Sequence, residues 1–109
     1  MKLELLAYGA PVVVALVGVP LALGKIPPNG IYGFRTPKTR SSESIWYPAN
    51  RFAGWALIAA GLAALCGNLI VLQMHPDWPM PLAIRWISGI LVGTILLGSA
   101  ACFVYLSKL

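Results

Sequence analysis

The sequence predicts an all-α integral membrane protein with three transmembrane helices and a short interfacial amphipathic helix in its first loop. Hydrophobic residues make up 59% of the 109 residues and charged residues only 10%, against about 25% in an average soluble domain. Three uncharged windows, at about residues 5–24, 52–74 and 86–106, are each long enough to cross a hydrocarbon layer about 30 Å thick. A chain of this length has room for one membrane domain, residues 1–109.

The first span contains Pro11 and Pro20. A proline removes a backbone donor and clashes with the preceding turn, so we expect a bend near each. Within lipid, the carbonyl groups that lose their donors need a side chain or a water molecule as partner.

The second and third spans carry patterns typical of helix packing in membranes. Small residues and one amide recur every four residues in the second span, at Ala56, Ala60, Ala64 and Asn68. They form one face on which backbones can approach closely and Asn68 can bond to another helix. Gly89 and Gly93 form a GxxxG pair in the third span, which predicts packing against the other helices or against a second copy of the protein.

The distribution of basic residues predicts the orientation of the helices, because cytoplasmic loops carry an excess of Lys and Arg. Only Lys2 and Arg85 fall on one side, whereas six basic residues fall on the side of the first loop: Lys25, Arg35, Lys38, Arg40, Arg51 and Lys108. We therefore expect the amino terminus outside and the carboxyl terminus in the cytoplasm. Anionic lipid headgroups are the expected partners of the net charge of +5, and nucleic acid is not, since no separate basic domain exists.

Aromatic, amide and guanidinium groups are densest in the basic loop, which we define as residues 25–51. Its first part, Ile26 to Gly30, holds two prolines and an Asn-Gly pair and predicts an extended segment and a turn. Its last part, from Ser42, has apolar residues at spacings of three and four, which predict the interfacial helix, with Pro48 at the bend into the second span.

Two interpretations of the polar and aromatic residues of the basic loop remain open. In the first, guanidinium and amide groups converge on an anion or a partner, because guanidinium offers paired donors to phosphate and carboxylate. In the second, the arginines reach to lipid phosphates and the aromatic rings anchor the loop at the interface. The candidate residues are Asn29, Tyr32, Arg35, Thr36, Trp46, Asn50 and Arg51.

No catalytic, metal or cofactor site is predicted. The sequence offers no paired carboxylates and no Ser–His pairing that would suggest an enzyme. His75 is the only histidine, whereas a metal site needs three or four ligands.

The run from Ile26 to Gly54 resembles the signature of the SdpI family of bacterial membrane proteins. The pattern is roughly I-P-x-N-x-x-Y-G-F-R-T-P, then Ser and Glu near a Trp, then Asn-Arg and a glycine. This chain supplies it with Ile26, Pro27, Asn29, Tyr32, Gly33, Phe34, Arg35, Thr36, Pro37, Ser42, Glu43, Trp46, Asn50, Arg51 and Gly54. The resemblance implies a multi-pass protein of the bacterial inner membrane with this signature in its cytoplasmic loop.

The family's namesake is an immunity protein that protects a producer cell from its own secreted toxic peptide and holds a transcriptional repressor at the membrane. The resemblance therefore implies immunity or signalling, with a membrane-active peptide or a cytoplasmic regulator as partner. Two alternatives stay open: a small oligomeric transporter or lipid-phosphate-binding protein, and an accessory subunit of a larger membrane complex. Three helices enclose little shared interior, so a second copy or another membrane protein is an expected partner.

Overall fold

The protein folds as three long helices joined by one extended loop and one short turn. The computed structural model describes residues 3–109. Helix α1 (Ala10–Ala22) follows a π-helical turn (Leu5–Gly9), α2 covers Glu43–Met74 and α3 covers Met80–Leu106. All three helices, the first counted from Leu5, are long and apolar enough to cross a membrane. No strand occurs in residues 3–109, and the predicted all-α fold with three such helices is confirmed.

The prediction of a separate interfacial helix in the first loop was wrong. Residues 43–51 form the first turns of α2, which continues through Pro48, and the loop itself holds only a 3-10 turn, Thr39–Ser41. Pro48 removes only the bond that a residue there would give to the carbonyl of Ser44. Because Ser44 is exposed near the start of the helix, water or headgroups can satisfy that carbonyl and the helix need not break.

Helix α2 is the centre of the bundle. Both α1 and α3 pack against it, and the π-helical turn before α1 contacts α3 as well. We call the end of the bundle that carries the basic loop the loop end, and the end that carries residues 75–79 the far end. The π-helical turn lies at the far end, so the chain before α1 meets α3 there, whereas α1 itself packs mainly on α2.

Glycines allow α1 and α2 to approach at backbone distance. A Cβ placed on Gly54 would lie 2.2 Å from the Ala22 nitrogen and 2.6 Å from the Gly18 carbonyl oxygen. A Cβ on Gly61, two turns further along α2, would lie 2.5 Å from the carbonyl oxygen of Pro11. These contacts are with backbone atoms that cannot move aside alone, so this helix pair requires glycine at both positions.

The residues predicted for helix packing occupy two kinds of surroundings. Ala60, Ala64 and Asn68 are buried, and Ala56 is half-buried where α2 passes Gly98 of α3. Around Gly89 and Gly93, by contrast, a Cβ would meet no atom of the described residues within 4 Å. This face of α3 therefore lies outside the three-helix contact, and its packing against a second copy stays a prediction.

Asn68 satisfies the carbonyl that Pro11 leaves without a donor. Pro11 has no N–H to give to the carbonyl of Ala7, four residues earlier. The Nδ2 group of Asn68 donates to that carbonyl at 2.7 Å, in a position where the amide is only 1% exposed. The bond joins the π-helical turn before α1 to the far end of α2, and a buried carbonyl in lipid gets the partner that it needs.

Candidate functional site

Asn29 folds the first turn of the basic loop. Its Oδ1 accepts hydrogen bonds from the backbone N–H groups of Ile31 at 2.8 Å and Tyr32 at 2.7 Å. Its Nδ2 donates to the carbonyls of Pro27 at 2.8 Å and Tyr32 at 3.0 Å. Asparagine is common in turns because its amide can replace backbone partners in this way. The amide of Asn29 is therefore engaged within the loop itself.

Trp46 and Asn50, one turn apart on α2, hold the backbone of the basic loop at two points. The buried indole Nε1 of Trp46 donates to the Ile26 carbonyl at 2.8 Å. The Asn50 amide accepts from the Phe34 N–H at 2.6 Å and donates to the Phe34 carbonyl at 3.2 Å. It also donates to the Trp46 carbonyl at 3.0 Å. Both side chains act as docking points for the loop backbone.

Gly33 makes the approach of the loop to Asn50 possible. Its φ of +117° lies in a region that other residues rarely adopt. A Cβ at this position would also lie 2.6 Å from the Asn50 Oδ1. Only glycine therefore brings the Phe34 backbone into hydrogen-bonding range of Asn50.

Tyr32 ties the basic loop to α1. Its hydroxyl donates a hydrogen bond to the carbonyl of Val17. That carbonyl lies beside the one that Pro20 deprives of its donor, in the last turns of α1. Burial raises the pKa of the Tyr32 hydroxyl, so the group is protonated at neutral pH and remains a donor.

A second set of contacts ties the basic loop to α3. The Phe34 ring packs edge-on against Phe103, with ring centroids 5.1 Å apart. The Lys38 ammonium donates to the Leu106 carbonyl at 2.9 Å, where a cation suits the carboxyl end of a helix. In the same segment, the buried Thr39 hydroxyl accepts from the Thr36 N–H at 2.7 Å and donates to the Thr36 carbonyl at 3.1 Å. Residues 32–39 therefore bridge the gap between α1 and α3.

The two candidate arginines have different neighbours. Arg35 is exposed and its Nη1 donates to the carbonyl of Gly30. Arg51 is also exposed, and its Nε would lie 2.9 Å from a Cβ on Gly24, just after α1. The convergence of both arginines on one anion stays a prediction: the Arg35 guanidinium bonds within the loop, and the Arg51 side chain lies beside Gly24.

A cleft of about 480 Å³ lies beneath the bridging residues. Its floor is α2, its sides are α1 and α3, and its roof is the segment Tyr32–Thr36 of the basic loop. The walls are mostly apolar, and Arg35 is the one charged residue among the described residues that line it. Arg51 lies outside this set. Of the seven candidate residues, the cleft collects three: Tyr32, Arg35 and Thr36.

Several residues that shape the site were missed by the sequence analysis. Phe103 and Lys38 gave no local signal, because their importance depends on where α3 ends relative to a loop 68 residues earlier. Gly33 could have been singled out, since a glycine between two aromatic residues in a loop suggests an unusual backbone angle. Within residues 3–109 no cluster of three potential metal ligands is present, and His75 stacks on Trp78 with centroids 4.1 Å apart.

Comparison with known proteins extends the resemblance beyond the basic loop. A family model described as the SdpI/YfhL protein family matches residues 25–106, which include the loop, α2 and α3. The chain is also similar to the protein YfhL of Bacillus subtilis (strain 168), with 36% identity over 52 residues. That match covers 42% of this chain and 47% of YfhL, so the chain spans about half the length of this relative. No solved structure matches. With most of its length matched by the family model, this chain belongs to the SdpI/YfhL protein family.

Proposed function

We propose that the protein is a non-enzymatic membrane protein of the immunity or signalling type, whose basic loop is a pre-folded recognition surface. The observation that carries the proposal is the internal hydrogen bonding of the loop. Asn29, Trp46 and Asn50 are engaged in holding its backbone, which leaves basic side chains exposed around a fixed frame: Lys25, Arg35, Lys38, Arg40 and Arg51.

A rigid basic surface supports recognition rather than chemistry. Ordering a loop before a partner arrives reduces the entropy that binding must offset, and exposed cations favour an acidic protein surface or anionic headgroups. Membership of the SdpI/YfhL family, which is not a known enzyme family, supports the same conclusion. The partner would be a cytoplasmic regulator, with a membrane-active peptide as the signal.

We propose further that the loop end faces the cytoplasm of a bacterial cell. The exposed cations of the basic loop and Lys108 lie at the loop end, and Arg85 lies toward the far end, which fits the excess of cytoplasmic Lys and Arg. Lys2, counted at the far end, lies outside the described residues.

In a chain with both native cysteines replaced by serine, we expect Asp77→Cys to react with an impermeant maleimide in intact cells. Arg40→Cys should react only after the cells are opened, and the reverse pattern would contradict this orientation.

The proposed function predicts that loss of the Arg51 guanidinium removes protection or signalling. Host cells lacking the chain would produce wild-type protein, Arg51→Ala or Arg85→Ala at equal membrane levels. They would then be exposed to membrane-active peptides purified from the culture medium of the organism itself. We expect Arg51→Ala to resemble the empty vector in survival, membrane potential and induced transcripts. Arg85→Ala removes the same charge at the far end and should behave as wild type.

Two outcomes would contradict this proposal. If wild-type cells match empty-vector cells in survival, membrane potential and transcripts, the immunity or signalling role fails. If Arg51→Ala and Arg85→Ala both retain full activity, the role would not depend on the basic surface.

A further inference from the structure

We propose that the cleft beneath the basic loop is a binding site for one anionic phospholipid, with the phosphate at Arg35 and an acyl chain between α1 and α3. This site goes beyond the proposed recognition function and does not depend on it. Its elements are the shape of the cleft, the chemistry of its walls and the position of its single charge.

The shape of the cleft gives it access to the bilayer. The π-helical turn contacts α3 at the far end, whereas α1 itself packs mainly on α2, and toward the loop end the cleft lies between α1 and α3. Val17 on one rim and Phe103 on the other are 43% and 58% exposed. In a bilayer these side chains face lipid, so a hydrocarbon chain can enter the cleft without crossing water.

The walls of the cleft suit a hydrocarbon chain. Leu21, Leu57, Ile95 and Cys102 contribute apolar surface, and Ala56, Ala60 and Gly98 leave space because they are small. The described lining contains no acidic residue. An apolar chain would fill this volume without leaving a buried charge unpaired.

The charge of the cleft lies where a headgroup would be. Arg35 belongs to the roof, at the loop end, and its Nη1 bond to Gly30 fixes the guanidinium in place. A guanidinium has five N–H donors, and this bond uses one of them. The remaining donors form the fork that binds phosphate oxygens, and the Thr36 hydroxyl lines the same cleft.

The size of the cleft favours a lipid over a peptide helix. A helix with its side chains is about 10–12 Å across, whereas the cleft, of about 480 Å³, is covered by the loop segment Tyr32–Thr36. Sites for small molecules span about 300–1,000 Å³. One acyl chain therefore suits the cleft better than a helical membrane-active peptide does.

Native mass spectrometry of the full chain tests this site. The protein would be purified in detergent after exposure to vesicles of mixed phosphatidylglycerol and phosphatidylcholine. We expect wild-type protein to retain one phosphatidylglycerol in preference to phosphatidylcholine. Arg35→Ala should lower that retention about tenfold, since a bidentate charged contact is lost. Arg51→Ala and Arg85→Ala, which remove a charge outside the cleft, should retain the lipid.

A second variant tests the acyl chain and keeps the test decisive if Arg35→Ala fails to fold. Ser99→Leu adds apolar bulk from the α3 side of the cleft and leaves the basic loop unchanged. We expect it to lose the bound lipid although Arg35 is present. Unchanged retention in Ser99→Leu, equal loss in Arg51→Ala, equal retention of both lipids, or a peptide mass in place of the lipid would overturn the proposal.

Discussion

Replacement of Gly54 by alanine is expected to separate α1 from α2 and to lower the free energy of unfolding by about 3 kcal/mol. The added Cβ would lie 2.2 Å from the Ala22 nitrogen and 2.6 Å from the Gly18 carbonyl oxygen. Overpacking costs about 1–3 kcal/mol in well-packed interiors, and the upper end applies here because the obstructing atoms belong to the backbone. In lipid, no hydrophobic force between helices offsets the lost contact.

The measurement is the unfolding of purified protein in mixed micelles, followed by circular dichroism and tryptophan fluorescence. Gly89→Ala is the matched control, because a Cβ at that position meets nothing within 4 Å in the described chain. Both substitutions raise helix propensity by the same amount. The difference between their free energies of unfolding therefore gives the cost of the backbone clash at Gly54. Equal stability of the two variants would show that α1 and α2 do not approach at Gly54.

The sequence was sufficient to predict the three helices because lipid imposes a simple requirement on each. A span must be apolar over about 20 residues, and that property can be read without knowing the neighbours. The helix expected to begin after Ser42 was predicted to have a bend at Pro48 before the second span, whereas α2 continues through that residue. A proline near the start of a helix deprives only an exposed carbonyl of its donor, so it did not force one.

The candidate site was harder to predict because its residues are paired across long distances in the chain. The signature positions of the basic loop were singled out as a group, yet the types of residue do not reveal which ones fold the loop. Asn50 and Arg51 are neighbours in sequence, but one is buried against Phe34 and the other is exposed. The cleft itself depends on the angle between α1 and α3, which no local pattern encodes.

The need of a carbonyl near Pro11 for a donor, and the ability of Asn68 to supply one, could both be predicted from the sequence. A proline within a membrane helix leaves a carbonyl in need of a donor, and an asparagine in another span can supply one. Both halves were expected separately, and the structure joins them through the Ala7 carbonyl. The pairing itself required the register between α1 and α2, which the glycine contacts set.

Asn50→Leu is expected to release the basic loop from α2 while leaving the three helices in place. Leucine has a side chain of similar size to asparagine, but it cannot form the bonds to the Phe34 N–H and carbonyl. Phe34 is only partly buried, so its backbone can hydrate once the loop opens. The net loss is therefore about 2 kcal/mol, which raises the population of the opened loop about thirtyfold.

Limited trypsin digestion reads this opening directly, because Arg35, Lys38 and Arg40 all lie in the segment that Asn50 holds. Cleavage within residues 35–41, followed by mass spectrometry, should accelerate by the same factor of about thirty. Asn68→Leu is the matched control, since Asn68 is also a buried amide of α2 but bonds α1 at the far end. It should lower the stability of the bundle and leave the cleavage rate in the loop unchanged.

These two variants separate the fold of the basic loop from its recognition chemistry. If Asn50→Leu loses protection or signalling with Arg35 and Arg51 intact, then the rigid frame matters as well as the exposed charges, as a pre-ordered surface requires. If cleavage stays slow in Asn50→Leu, or rises equally in Asn68→Leu, the loop is not held by Asn50. In that case the contacts to α3 through Phe103 and Leu106 would hold the basic loop in place.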